Sequence, residues 1–99
     1  MIVIAGSVRI PAQNVDRFRP QMLEMVAASK AEDGCIEYCY AQDVGDPGLV
    51  RVFEVWRDQP ALAAHFTTAH MATWRAAWPD FGVTDRNLSL YEVADVRPL

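Results

Sequence analysis

The sequence predicts an α+β domain in which a four-stranded antiparallel sheet carries its helices on one face. Three observations lead there. Apolar spacing switches between strand-like and helix-like in the order βαββαβ. A length of 99 residues leaves room for one core and no second, so one domain over 1–99 is expected. Val, Phe and Tyr occur at both parities of the strands, the pattern of a sheet covered on both sides, so the face without helices is expected to meet a second copy.

Ile2 to Arg9 is rich in β-branched residues and ends before Pro11, which reads as a first strand. Asn14 is placed to cap a helix from Val15 to Ala31, with Val15, Phe18, Met22, Leu23, Met25 and Val26 as its apolar stripe. Pro20 lies inside it, so the helix either bends there or begins properly near it. Asp33 and Gly34 end the helix, and Cys35 to Gln42 and Leu49 to Trp56 form a hairpin around Gly45, Asp46, Pro47 and Gly48. Asp58 is the N-cap of a helix with Pro60 in its first turn, running through His65 and Phe66 until Thr67 and Thr68 interrupt it. A further helix from Ala69 to Trp78 is stopped by Pro79, and after a loop from Asp80 to Asn87 the last strand covers Leu88 to Val93. With its second helical stretch broken in two, the order is the ferredoxin-like arrangement.

Charge and composition exclude several classes of function. A net charge of -4 does not suit a surface that tracks phosphates, so nucleic acid is not expected as a partner. No apolar run approaches the ~20 residues of a membrane span, and no leader or cleavage site is read at Met1 to Arg9, so no membrane association and a cytoplasmic location are expected. Cys35 and Cys39 share a strand, where ~3.3 Å per residue holds their backbones ~13 Å apart, too far for a disulfide. No CxxC and no pair of histidines at ligand spacing is present, and no metal site is expected.

The stretch from Asp33 to Trp74 carries a resemblance. It contains DGCIEYCYAQD, a Gly/Pro turn, then FEVWRDQPALAAHFTTAHM, with Tyr38, the Glu54-Val55-Trp56 triplet and the spaced pair His65 and His70. It resembles the antibiotic biosynthesis monooxygenase family of the dimeric α+β barrel superfamily, and element order extends the likeness along the chain. The resemblance implies a homodimer whose two sheets close into a barrel, each subunit keeping a cavity between sheet and helices. Members of that family include cofactor-independent oxygenases of polycyclic phenols and quinols, enzymes acting on small signalling sugars, and haem degraders. The haem-degrading branch has Asn late in the first strand and Trp and His on its helices; Ser7 and His65 stand near those places here, so haem is not expected.

Candidate site residues follow. If the hairpin pairs symmetrically, Tyr38 lies opposite Glu54 and Ile36 opposite Trp56. A Glu on an apolar strand is costly to bury alone, so Glu54 either meets a hydroxyl or cation, structurally or in catalysis, or sits at a rim. An imidazole with an ordinary pKa near ~6.5 suits proton transfer, which makes His65 the candidate base, unless a helix-end carbonyl holds it. His70 comes five residues later, ~140° round an ideal helix, so a continuous helix does not let the pair clamp one ion. His70 reads as a surface or interface residue. Trp56, Phe66, Met71, Trp74, Trp78 and Phe81 supply surface for a flat ring, although most of them also suit the core and the stripe Met71, Trp74, Trp78 suits plain packing. Arg75 either orients an anionic oxygen or lies exposed.

The expected chemistry is cofactor-free monooxygenation of a small aromatic substrate, a quinol, anthrone or similar phenol, by molecular oxygen. His65 is the base, Tyr38 and Glu54 are polar anchors, and Trp56, Phe66, Met71, Trp74 and Arg75 bind the substrate. Two alternatives stand beside it: proton transfer on a small sugar or keto compound by the same histidine, and a dimer that binds a ligand without catalysis.

Overall fold

Strand β1 (Ile2–Arg9) runs through the middle of the sheet, bonded on one side to β3 (Leu49–Trp56) and on the other to β4 (Thr84–Glu92). Strand β2 (Cys35–Gln42) pairs with the far side of β3, so the order is β2-β3-β1-β4 and every neighbouring pair is antiparallel. The computed structural model describes residues 1–99. Both helical stretches are split, into α1 (Ala12–Arg17) and α2 (Arg19–Lys30), then α3 (Gln59–Phe66) and α4 (Ala69–Phe81). The α+β, ferredoxin-like architecture is thus the one the spacing predicts.

The first helical stretch starts earlier than expected. Pro11 precedes α1, and Asn14 caps nothing: its Nδ2 donates to the carbonyl of Phe81, 3.0 Å away, tying α1 to the end of α4. The chain leaves helical geometry at Phe18, and Pro20 then sits in the first turn of α2, where a missing N–H costs nothing. Phe18 packs on Phe81 at 4.2 Å between ring centroids. On α2, Met22 and Met25 face the core, whereas Leu23, expected in the stripe, lies exposed.

The second stretch keeps its expected start. Asp58 accepts the N–H of Ala61 at 2.9 Å, and Pro60 follows in the first turn. Its end runs on: Pro79 sits inside the last turn of α4, and the helix stops at Gly82, whose φ of +71° suits a residue without Cβ. Proline removes a single bond near a helix end, which α4 tolerates. Most of the expected loop from Asp80 is therefore helix end and strand, since β4 begins at Thr84.

The hairpin register has one correction. Tyr38 does face Glu54, but Cys35 takes the place beside Trp56 expected for Ile36. A bulge between Cys35 and Glu37 turns Cys35 towards the core and leaves Ile36 exposed. Both thiols are free. Strand pairing puts Ile4, Tyr38, Tyr40, Val50, Val52, Glu54 and Leu88 on the helix side. The far face shows Phe53 and Tyr91, both exposed.

Candidate active site

Sheet and helices do not close on each other fully. They leave a cavity of about 350 Å³ lined by 21 residues, 16 of them hydrophobic. The strands supply Ile4, Val8, Val50, Val52 and Leu88, and the helices supply Leu62, Phe66, Met71, Trp74 and Trp78. Tyr40 stacks on Trp74 with centroids 5.6 Å apart, so the indole lies along the wall.

Few polar groups enter this space, and strand geometry places most of them. Tyr38 and Tyr40, two apart on β2, point to the same side, and their hydroxyls are 2.7 Å apart. Burial pushes both phenols above their ordinary pKa, so they stay neutral hydrogen-bonding groups near pH 7. Glu54 faces Tyr38 across the ladder, and its Oε1 accepts the indole N–H of Trp56 at 2.9 Å. Burial raises the Glu54 pKa, which the Trp56 bond partly opposes.

His65, in the last turn of α3, is only 1% exposed. Its Nδ1 lies 2.6 Å from Oε2 of Glu32. Glu32 sits in the turn after α2, its N–H bonded to Ser29 and its carbonyl to Cys35. Gly34, at φ +84°, lets that turn lie against α3; a Cβ there would come 2.6 Å from Cβ of Ala61. With Nδ1–H donating to the carboxylate, the lone pair of a neutral imidazole is on Nε2. No protein group bonds Nε2. His65 itself is among the residues that line the cavity. Burial lowers the His65 pKa and outweighs the opposing pull of Glu32.

His70 stands at the start of α4, part-exposed as expected, but it is also tied inward. Its Nε2 is 2.8 Å from the same Glu32 oxygen, and the two imidazole centroids are 5.9 Å apart. The two histidines converge because the helix between them is broken. Thr68 donates its hydroxyl to the carbonyl of His65 and accepts the N–H of Met71, closing α3 and opening α4 in a new direction. The ~140° separation of a continuous helix does not apply.

Of the residues singled out from sequence, Tyr38, Glu54, His65, Phe66, Met71 and Trp74 line the cavity together. Two stand elsewhere. Trp56 is fully buried behind the wall, where it holds Glu54 and packs 4.7 Å from the His65 ring. Arg75 is exposed on α4, donates to the Phe66 carbonyl at 3.3 Å and lies 5.8 Å over the Phe66 ring. Glu32, Tyr40 and Arg86 were not anticipated. Tyr40 shares the parity of Tyr38, a signal that was available; Arg86 falls in a segment read as loop, and Glu32 is 33 residues from His65. Arg86 is exposed, is one of the lining residues and lies 4.3 Å over the Trp78 ring, with no carboxylate paired to it.

The sequence profile described as antibiotic biosynthesis monooxygenase matches residues 1–77. The chain belongs to that family. It is 29% identical over 70 residues to YcnE of Bacillus subtilis strain 168, provisionally named a monooxygenase, spanning 71% of this chain and 74% of that one. It is 28% identical over 98 residues to the uncharacterized protein sll1783 of a Synechocystis strain, spanning 99% of this chain and 67% of that one. Among solved structures, a Deinococcus radiodurans protein provisionally assigned to the family superposes with a TM-score of 0.91 at 23% identity, covering 100% of this chain and 98% of that one. A Nitrosomonas europaea protein with the same assignment gives 0.84 at 22% identity, covering 96% and 100%. Both likenesses concern the fold.

Proposed function

We propose that this chain is a cofactor-free monooxygenase of a quinol, anthrone or similar polycyclic phenol. The observation that carries the reading is the free Nε2 of His65, backed by Glu32, on the wall of an apolar cavity. About 350 Å³ lies in the range of small-ligand pockets, and flat aromatic walls suit a fused ring.

The substrate supplies the electrons. His65 Nε2 takes a hydroxyl proton, and the resulting oxyanion is held by the Tyr38 and Tyr40 hydroxyls and by Arg86. The electron-rich ring then reduces molecular oxygen. One oxygen atom forms a bond to a ring carbon; the other leaves as water with two hydrogens from the substrate. A quinol and O2 thus become a hydroxyquinone and water. Glu32 keeps the imidazole in the tautomer whose lone pair faces the cavity.

The reading also includes a homodimer, because Phe53 and Tyr91 on the far face need cover, and a cytoplasmic setting, which two free thiols suit. No helix is long and apolar enough to cross a membrane. A phosphorylated sugar would call for several converging cations, and Arg86 is the one the cavity wall offers.

Oxygen uptake by chelator-treated protein with menadiol, naphthoquinols and anthrones tests the reading. Uptake above the autoxidation rate is expected, falling about 10²–10⁴-fold in His65→Ala, as loss of a general base does. No uptake with any of the panel, or uptake unchanged in the variant, overturns it.

A further inference from the structure

We propose that Glu32, His65 and His70 form a binding site for one divalent transition-metal ion of the zinc class. Nδ1 of His65, Nε2 of His70 and Oε2 of Glu32 all lie within 4.8 Å of one another. They come from three separate elements, α3, α4 and the turn after α2, and the break at Thr68 aims the second histidine at the first. Two imidazoles and one carboxylate are a donor set for zinc, cobalt, nickel or iron. The two nitrogen–oxygen edges are 2.6 and 2.8 Å, each now spanned by a proton. Ligands held ~2.0–2.1 Å from one cation in a tetrahedron stand about 3.3 Å apart, so binding opens these two edges by roughly half an ångström or more and brings the two imidazole nitrogens to that same spacing.

Two independent observations favour a cation there. Glu32 is largely buried, its side chain 13% exposed, and no lysine or arginine pairs with it; its ionic contacts are the two histidines alone. A carboxylate in that position lacks a permanent counter-charge. Access exists as well. The His70 side chain is 27% exposed and lines a second hollow of about 300 Å³ together with Gln21 and Glu24, both exposed, so the outermost ligand of the set stands at the surface. Three protein ligands leave positions free for water.

Occupancy has a chemical consequence. A metal on Nδ1 moves the imidazole proton to Nε2, removing the lone pair that faces the cavity, so the site holds either a cation or a base. This consequence rests on the proposed oxygenase reading; the binding itself does not.

The test titrates chelator-treated protein, without substrate, with Co2+ followed by its visible absorption and with Zn2+ by calorimetry. One ion per chain is expected. Affinity should fall at least about tenfold in Glu32→Gln and in His70→Gln, the latter keeping an N–H donor for Glu32 so that the fold is retained. Nitrogen NMR of the His65 and His70 rings needs no variant: both should shift as Zn2+ is added to the wild-type chain. Wild-type affinity equal to that of both variants, or ring resonances unmoved by zinc, overturns the proposal. An enzyme that is active after chelator treatment and binds no zinc would overturn this site and leave the oxygenase reading standing; a protein that binds zinc and shows no uptake in its chelator-treated form would do the reverse.

Discussion

The break between α1 and α2 and the break between α3 and α4 look alike along the chain, yet they are held differently. At the first, no side chain caps either end; Phe18 swings out of the helix and its ring packs on Phe81. At the second, the hydroxyls of Thr67 and Thr68 take up the carbonyls of Ala64 and His65, and Thr68 also accepts the N–H of Met71. An apolar anchor sets where a helix packs. A polar cap sets the direction in which the next helix leaves, and so where its side chains point. The first break accordingly serves the core, and the second brings His70 to Glu32 and His65.

The largest effect should come from removing the anchor of the first break. Phe81 is 1% exposed and touches both Phe18 and Trp74, so Phe81→Ala is expected to cost about 3–5 kcal/mol in denaturant unfolding. Molecules still folded should retain uptake that depends on His65. Thr68→Ala should show the opposite balance. Loss of the cap costs about 0.5–2 kcal/mol. Turnover should fall by about tenfold or more, because displacing a catalytic group by ~1 Å costs up to about 10²-fold, and Thr68→Ser should restore it. If Thr68→Ala changes only the melting temperature, the break does not aim the site.

Smaller effects sharpen the comparison. Asn14→Ala removes the bond from α1 to the Phe81 carbonyl and should cost about 1 kcal/mol with turnover unchanged. Glu54→Gln probes the cavity wall through pH. Burial raises the folded-state pKa of Glu54 above its ordinary value of 4.5. Between the unfolded and folded values the folded protein binds more protons, so this group's contribution to stability falls as pH rises and is fully lost above the folded pKa. Glutamine still accepts from Trp56 but carries no charge. The variant should therefore match wild type near about pH 4 and exceed it at about pH 8 in urea titrations. A difference of the opposite sign would mean that the carboxylate gains more from its surroundings than burial takes away.

Legibility differed between fold and site for a physical reason. Strands reveal themselves by alternation, which placed Tyr38 opposite Glu54; a bulge costs one residue of register and leaves no mark in the pattern, so Ile36 and Cys35 exchanged places. Edge strand β4 is mostly exposed and polar at its start, which made Thr84 to Asn87 read as loop and hid Arg86. His65 stood out as a titratable group on an apolar helix. Glu32 did not, because a carboxylate in a turn after a helix looks the same in sequence whether it faces water or two imidazoles.

By itself the sequence determined the order of the elements, the Asp58 cap, the helix interruption at Thr67 and Thr68 and much of the apolar lining that becomes the cavity, since these depend on spacing and local propensity. Tertiary structure alone decided that Glu32, His65 and His70 meet, that Trp56 stands behind the wall and that Arg86 joins the lining. The two Glu32 contacts join residues 33 and 38 positions apart, and the geometry of all of them is set by how α3 and α4 lean on the sheet, which no local pattern in the chain records.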